Sequence, residues 1–179
     1  MLSLTKDQII IALQKLSDFM INPNDEFNAI MNSASNSNGW FTIEEVKRSM
    51  ISLAKMLNKT DLEQWFKNIE LAKSPKKVGL ILAGNIPLVG FHDVLCVLAT
   101  GNVALIKMSS SDDKLLPAIL SQLIAFEPIF ANHIEYTERL KEFDAIIAYI
   151  QQVTDRWYAM AYVRPPESAE KSEVSSAHG

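Results

Sequence analysis

The stretch from Lys77 to Ser110 constrains the fold more than any other part of the chain. Val78 to Ala83 is an almost unbroken apolar run, short for a helix, that stops at Gly84-Asn85. A strand buried on both faces reads this way, because helices cover both sides of a parallel sheet and neither face is left for alternating polar residues. Ile86-Pro87 sets the exit, since proline fixes its own φ and drives the preceding residue toward extended geometry. Leu88 to Ala99 is apolar nearly all round, as expected of a helix buried against that sheet. Thr100-Gly101-Asn102 stops it, with Gly101 suited to the left-handed cap position. Val103 to Ile106 is a second buried strand, and Lys107 closes it. Strand, helix and strand make one crossover unit, which is right-handed in a parallel sheet.

Ligands of open α/β sheets lie outside the carboxyl ends of the strands. Asn85 and Lys107 both stand there, an amide donor on a tight turn and a cation at the neighbouring strand end. That combination suits a carbonyl-bearing or anionic ligand, phosphate first among the anions.

The chain before this unit reads as helices. Thr5 with Gln8 forms a capping box ahead of the amphipathic run Ile9 to Met20. Pro23-Asn24-Asp25 ends that helix, Glu26 to Ala34 opens another, and Ser33 to Gly39 is expected to be a polar loop. Thr42 with Glu45 is a second box, followed by Val46, Met50, Leu53, Ala54 and Leu57 at helical spacing. Thr60 with Glu63 is a third, before Leu62, Trp65, Phe66 and Ile69. Trp40-Phe41 reads as a core-packed anchor for the start of the helix that the second box opens. After Lys107, Ser109 or Ser111 is the expected N-cap of a helix over Leu115 to Phe126, with Asp112 and Asp113 in its first turn and its amides free to face an anion. His133 to Glu138 and Phe143 to Ala148 are the next strand candidates. The fold class expected is α/β: N-terminal helices over 1–74, followed over 75–148 by part of a doubly wound, Rossmann-like parallel sheet.

Two passages, Ala83-Gly-Asn-Ile-Pro-Leu88 and Leu98-Ala-Thr-Gly-Asn-Val-Ala-Leu-Ile-Lys107, agree in order and spacing with a known family. They resemble the aldehyde dehydrogenase superfamily, and most closely its acyl-CoA reductase branch, the fatty-acid reductases of the luciferase-operon type. The resemblance runs over residues 39–148. It implies that Asn85 helps form an oxyanion hole and that Lys107 contacts the adenosine ribose or its 2′-phosphate. It also implies that Gly84, Pro87, Ser109 and Ser110 belong to the cofactor-binding set. Relatives that prefer NAD often carry a Glu where Ser110 stands. A carboxylate would repel a 2′-phosphate and a hydroxyl would not, so the resemblance implies NADPH. The implied reaction is reduction of a fatty acyl-CoA to the aldehyde through a cysteine thioester, in a family that commonly forms oligomers.

After Ala148 the resemblance implies a Thr-Gly-Ser turn, but the chain reads Tyr149-Ile-Gln-Gln-Val-Thr-Asp-Arg-Trp157, with no glycine between Gly101 and Gly179. From Arg164 the composition turns to Pro, Glu, Ser, Lys and Ala, so 149–179 is expected to be a divergent, disordered tail. A shifted coding frame or a fusion near residue 148 is the expected origin, with a genuine divergent tail as the alternative. On that reading the chain is an N-terminal fragment that lacks the family's nucleophile. Cys96 lies in the apolar helix with no cation nearby in sequence and reads as core; His92-Asp93 reads as structural. The alternatives are a nucleotide- or CoA-binding module without catalysis and a truncated product with no independent function.

Other classes are disfavoured by composition. A formal charge of −4 argues against a general nucleic-acid binder. One cysteine excludes an internal disulfide, and with no signal-peptide pattern a reducing cytoplasm is expected. Val78 to Ala99, the longest apolar segment, is interrupted by Gly84-Asn85, Pro87 and His92-Asp93 and is no membrane span. Scattered His92, His133 and His178 with one cysteine give no metal site by spacing.

Overall fold

The computed structural model describes residues 4–110, 112–151 and 157–163. Its N-terminal helices begin where a short polar side chain can take a free backbone amide. Helix α1 (Lys6–Ile21) opens on Thr5, whose hydroxyl accepts the Gln8 amide at 3.3 Å while Gln8 Oε1 accepts the Thr5 amide at 3.0 Å. Helix α2 (Asp25–Ser37) opens on Asn24, which accepts from the Phe27 amide at 2.8 Å. Helix α3 (Ile43–Met56) opens on Thr42, accepting from the Glu45 amide at 3.2 Å. The Glu45 carboxylate pairs with Arg48 at 3.1 Å. Helix α4 (Lys59–Lys67) starts earlier than the box expected at Thr60, because Asn58 accepts the Asp61 amide at 3.0 Å, and asparagine is among the best N-caps.

The serine- and asparagine-rich stretch from Ser33, expected to be a loop, instead continues α2 to Ser37. A cation explains the extension. Lys114 Nζ donates to the Ser33 carbonyl at 3.3 Å, the Ser33 hydroxyl at 2.9 Å and the Ser37 hydroxyl at 2.6 Å. Positive charge at a helix C-terminus satisfies open carbonyls and complements the dipole.

The second half is built on strand β1 (Lys77–Ile81), helix α5 (Phe91–Ala99), strand β2 (Val103–Lys107), helix α6 (Leu115–Phe126), a 3-10 turn (Pro128–Asn132), and strands β3 (Ile134–Tyr136), β4 (Ala145–Gln151) and β5 (Trp157–Val163). Sheet order is β3-β2-β1-β4-β5. The first four are parallel, with Leu80 beside both Ile106 and Ile147. This is the expected α/β fold, with strand order reversing beside β1 as in doubly wound sheets. α1 packs on α3, α4 and α6, and α2 on α3 and α6, so one continuous apolar core joins Leu13, Leu16 and Val46 to Leu80 and Ile106 of the sheet.

Beyond β3, shorter than His133–Glu138, and β4, which starts at Ala145 and not Phe143, three differences from the sequence reading bear on the site or the sheet edge. β1 ends at Ile81, ahead of Ala83. α5 begins at Phe91, later than Leu88, because Leu88 is held at φ 60°, a left-handed conformation that interrupts the helix. Gly101 takes the expected left-handed cap at φ 73°. The third difference lies in the stretch expected to be a disordered tail. Residues 149–151 continue β4, and 157–163 form β5, antiparallel to it with Ala148 opposite Met160. Trp, Tyr and Val in that segment favour extended structure, and an antiparallel edge strand on an otherwise parallel sheet is common. The remainder of that expected tail, 152–156 and 164–179, lies outside the described residues.

Candidate active site

Where β1 leaves the sheet, Leu82 and Ala83 are still buried, and Gly84-Asn85 brings the chain to the surface. Asn85 is exposed. Beside it opens a cavity of about 590 Å³ at the carboxyl end of the sheet. Three walls make it: the turn after β1 (Gly84, Asn85), the segment after β2 (Ser110, Asp112, Asp113, Lys114), and the α2–α3 junction (Ala34, Ser37, Asn38, Trp40, Phe41). Of the residues singled out in the sequence, the cavity gathers Gly84, Asn85 and Ser110. Lys107 is exposed at the end of β2, paired in register with Ile81, and is not among its lining residues; nor are Pro87 and Ser109.

The start of α6 departs from expectation. Lys114 occupies the N-cap position and makes no side-chain capping bond, while Ser111 lies outside the described residues. The anion at this helix start is the protein's own. Asp112 is 5 % exposed, and its Oδ2 accepts the Leu88 amide at 3.0 Å. The amides of Leu115 and Leu116 face the same carboxylate and favour its charge, without completing hydrogen bonds to Oδ1, which is enclosed and unpartnered. Burial dominates and pushes the Asp112 carboxyl above its ordinary range, with Asp113 adding to the rise.

Cys96, expected to be core, is not part of the buried core. Its thiol sits half-buried on α5, with Sγ 3.9 Å from His92 Nδ1. Burial pushes the thiol up, and Asp93 adds to that, so the neutral form is favoured and the thiolate a nucleophile needs is suppressed. Cys96 does not line the cavity. Among the described residues, no group of three or more His, Cys, Asp or Glu is placed to hold a metal, and no helix is long and apolar enough to cross a membrane.

Sequence reasoning missed Trp40, Asp112 and Lys114 as cavity residues. Trp40-Phe41 was expected to pack as a unit, yet the two diverge: Phe41 is 1 % exposed and Trp40 is 83 % exposed. Neighbouring side chains outside a helix point apart, so one of two adjacent aromatics faces solvent whenever the other fills the core. For Lys114 the signal was a charge next to a helix start, a place where a cation is unfavourable unless another element uses it.

With this geometry in hand, comparison with known families is decisive. The family described as acyl-CoA reductase (LuxC) matches residues 42–134, just over half of the chain. The chain belongs to that family. The acyl-CoA reductase match spans α3, α4 and the β1-α5-β2-α6 unit through the first residue of β3, so Asn85, Lys107 and Asp112 lie inside it and Trp40 just outside. No curated protein and no solved structure matches the chain.

Trp40 supplies a reporter for the cavity. A ligand that fills it covers an indole that is otherwise in water, so emission at saturation is expected to shift to the blue or quench, and Trp40→Phe to remove the change. An emission spectrum unaltered at saturating ligand would place binding elsewhere.

Proposed function

We propose that this chain carries the oxyanion donor and the nucleotide contacts of an NADPH-dependent reductase that converts a fatty acyl-CoA to its aldehyde. The observation that carries the reading is Asn85, exposed at the carboxyl end of β1 and sharing one cavity with Gly84 and Ser110. In the chemistry proposed, a cysteine thiolate attacks the acyl carbonyl, the bond to CoA sulfur breaks, and the resulting enzyme thioester is reduced with return of the thiolate. The nicotinamide cofactor, when bound, supplies the hydride. Both steps place negative charge on the carbonyl oxygen, and the Asn85 side-chain amide is the donor for it.

The residues present fit such a cofactor. Lys107 is an exposed cation at the neighbouring strand end and has no ion pair among the described residues, which suits a ribose phosphate. Ser110 puts a hydroxyl in the cavity where a carboxylate would repel that phosphate. The sequence holds one cysteine, and the surroundings of Cys96 disfavour its thiolate, so on this reading the nucleophile comes from outside these residues. The same observation favours a second reading for the chain alone, nucleotide or CoA binding without turnover. The reducing cytoplasm is the compartment in which a lone free thiol is unremarkable, and we place the chain there.

The test is a titration of NADPH and NADH against the purified chain, followed by nucleotide fluorescence. NADPH is expected to bind more tightly, and Lys107→Ala to weaken NADPH about tenfold more than NADH, the loss of one charge-assisted contact. An equal loss for both nucleotides would count against a 2′-phosphate contact. Turnover of a fatty acyl-CoA in a chain that also carries the nucleophile separates the two readings, since the binding module shows none there.

A further inference from the structure

The turn that presents Asn85 has one hydrogen bond of its own, from the Val89 amide to the Ile86 carbonyl at 3.3 Å. It continues through Pro87 into Leu88, a non-glycine residue held at φ 60°, and such a conformation persists only where surroundings over-determine it. Two contacts do so. The Leu88 side chain is buried in the core, and the Leu88 amide donates to Asp112 Oδ2 at 3.0 Å. Asp112 comes from the far side of the cavity, on the segment between β2 and α6, and it is itself 5 % exposed. A buried carboxylate costs stability unless its environment repays it, and here the amide of a strained turn provides the partner. We propose that Asp112 is a positioning residue for Asn85: by holding the Leu88 amide, its carboxylate locks the turn from Gly84 to Leu88 in the conformation that sets Asn85 on the cavity wall.

The inference rests on the reading of Asn85 as the donor to a substrate carbonyl. Asp112 acts through the turn, its Oδ2 being taken by the Leu88 amide. Its replacement by asparagine keeps an acceptor oxygen for the Leu88 amide and removes a buried charge, whereas alanine removes the acceptor.

The experiment is amide NMR of the full chain, wild type, Asp112→Ala and Asp112→Asn, with and without a saturated fatty acyl-CoA. Two signals are followed: hydrogen exchange at the Leu88 backbone amide, and the Asn85 side-chain amide, assigned by its absence in Asn85→Ala. Wild type is expected to show a protected Leu88 amide and an Asn85 signal that moves with acyl-CoA. In Asp112→Ala, Leu88 exchange is expected to rise about tenfold, the loss of one hydrogen bond, and the Asn85 response to fall several-fold. Asp112→Asn is expected to restore both, which also answers the case in which the alanine variant does not fold. Loss of Leu88 protection with an unchanged Asn85 response would overturn the proposal and leave Asp112 a purely structural residue. So would an Asp112→Asn variant that again protects the Leu88 amide but does not restore the Asn85 response. An Asn85 signal indifferent to acyl-CoA in the wild type would instead refute the donor reading, and the positioning role with it.

Discussion

Replacement of Asn85 by alanine is expected to lower turnover about a hundredfold or more, the effect of removing one oxyanion donor worth ~2.7–4 kcal/mol of transition-state stabilisation. The measurement is kcat for a fatty acyl-CoA in a chain that has its nucleophile. Two controls make the result specific. Asn85 is exposed, so the substitution is expected to leave stability within about 0.5 kcal/mol. Cofactor affinity is expected to persist, because Lys107 stands on a different strand end. An enzyme that turns over unchanged without this side chain would remove Asn85 from the mechanism.

Phe41→Ala is expected to cost the fold ~3–5 kcal/mol, the range for deleting a fully buried phenylalanine and leaving a cavity. That is a large part of the ~5–15 kcal/mol available to a domain. Trp40→Ala next door is expected to change stability by about 0.5 kcal/mol or less, since its side chain is almost wholly in water. Urea unfolding of the three chains measures both. Similar losses at the two positions would mean that the indole packs as part of the core after all, while a Phe41 loss under about 1 kcal/mol would show a core that collapses around the missing ring.

The sheet was legible because its signal is local and redundant. The apolar runs at Val78 and Val103, the glycine at 101 and the lysine at 107 each point to the same crossover, and β1, β2 and their parallel pairing follow. The helical layer was legible through its caps, and the shifts that occurred have local causes. At Asn58 an equally good cap stood two positions before Thr60. Residues 33–37 were different: besides local bonds their helix end is met by Lys114, a partner 77 residues or more away in sequence, and composition does not encode such a partner. The cavity shows the same division. Gly84 and Asn85 announce themselves by the turn they make, whereas Asp112 reads as a first-turn acidic residue until its bond to Leu88 is seen. The strained φ at Leu88 carries no sequence mark either, since leucine is an improbable choice for it.

Lys114 has a consequence for how a ligand is admitted. Its ammonium ties the end of α2 to the start of α6, and α1 and α2 pack on α6 over one continuous core. The cavity's helical wall and its sheet-side wall therefore share one core, and separating them would break the Lys114 bonds as well as apolar packing. Trp40, a lining residue almost wholly in water, has the freedom of an exposed side chain, whose rotamers change on the picosecond-to-nanosecond scale, far faster than a closing domain.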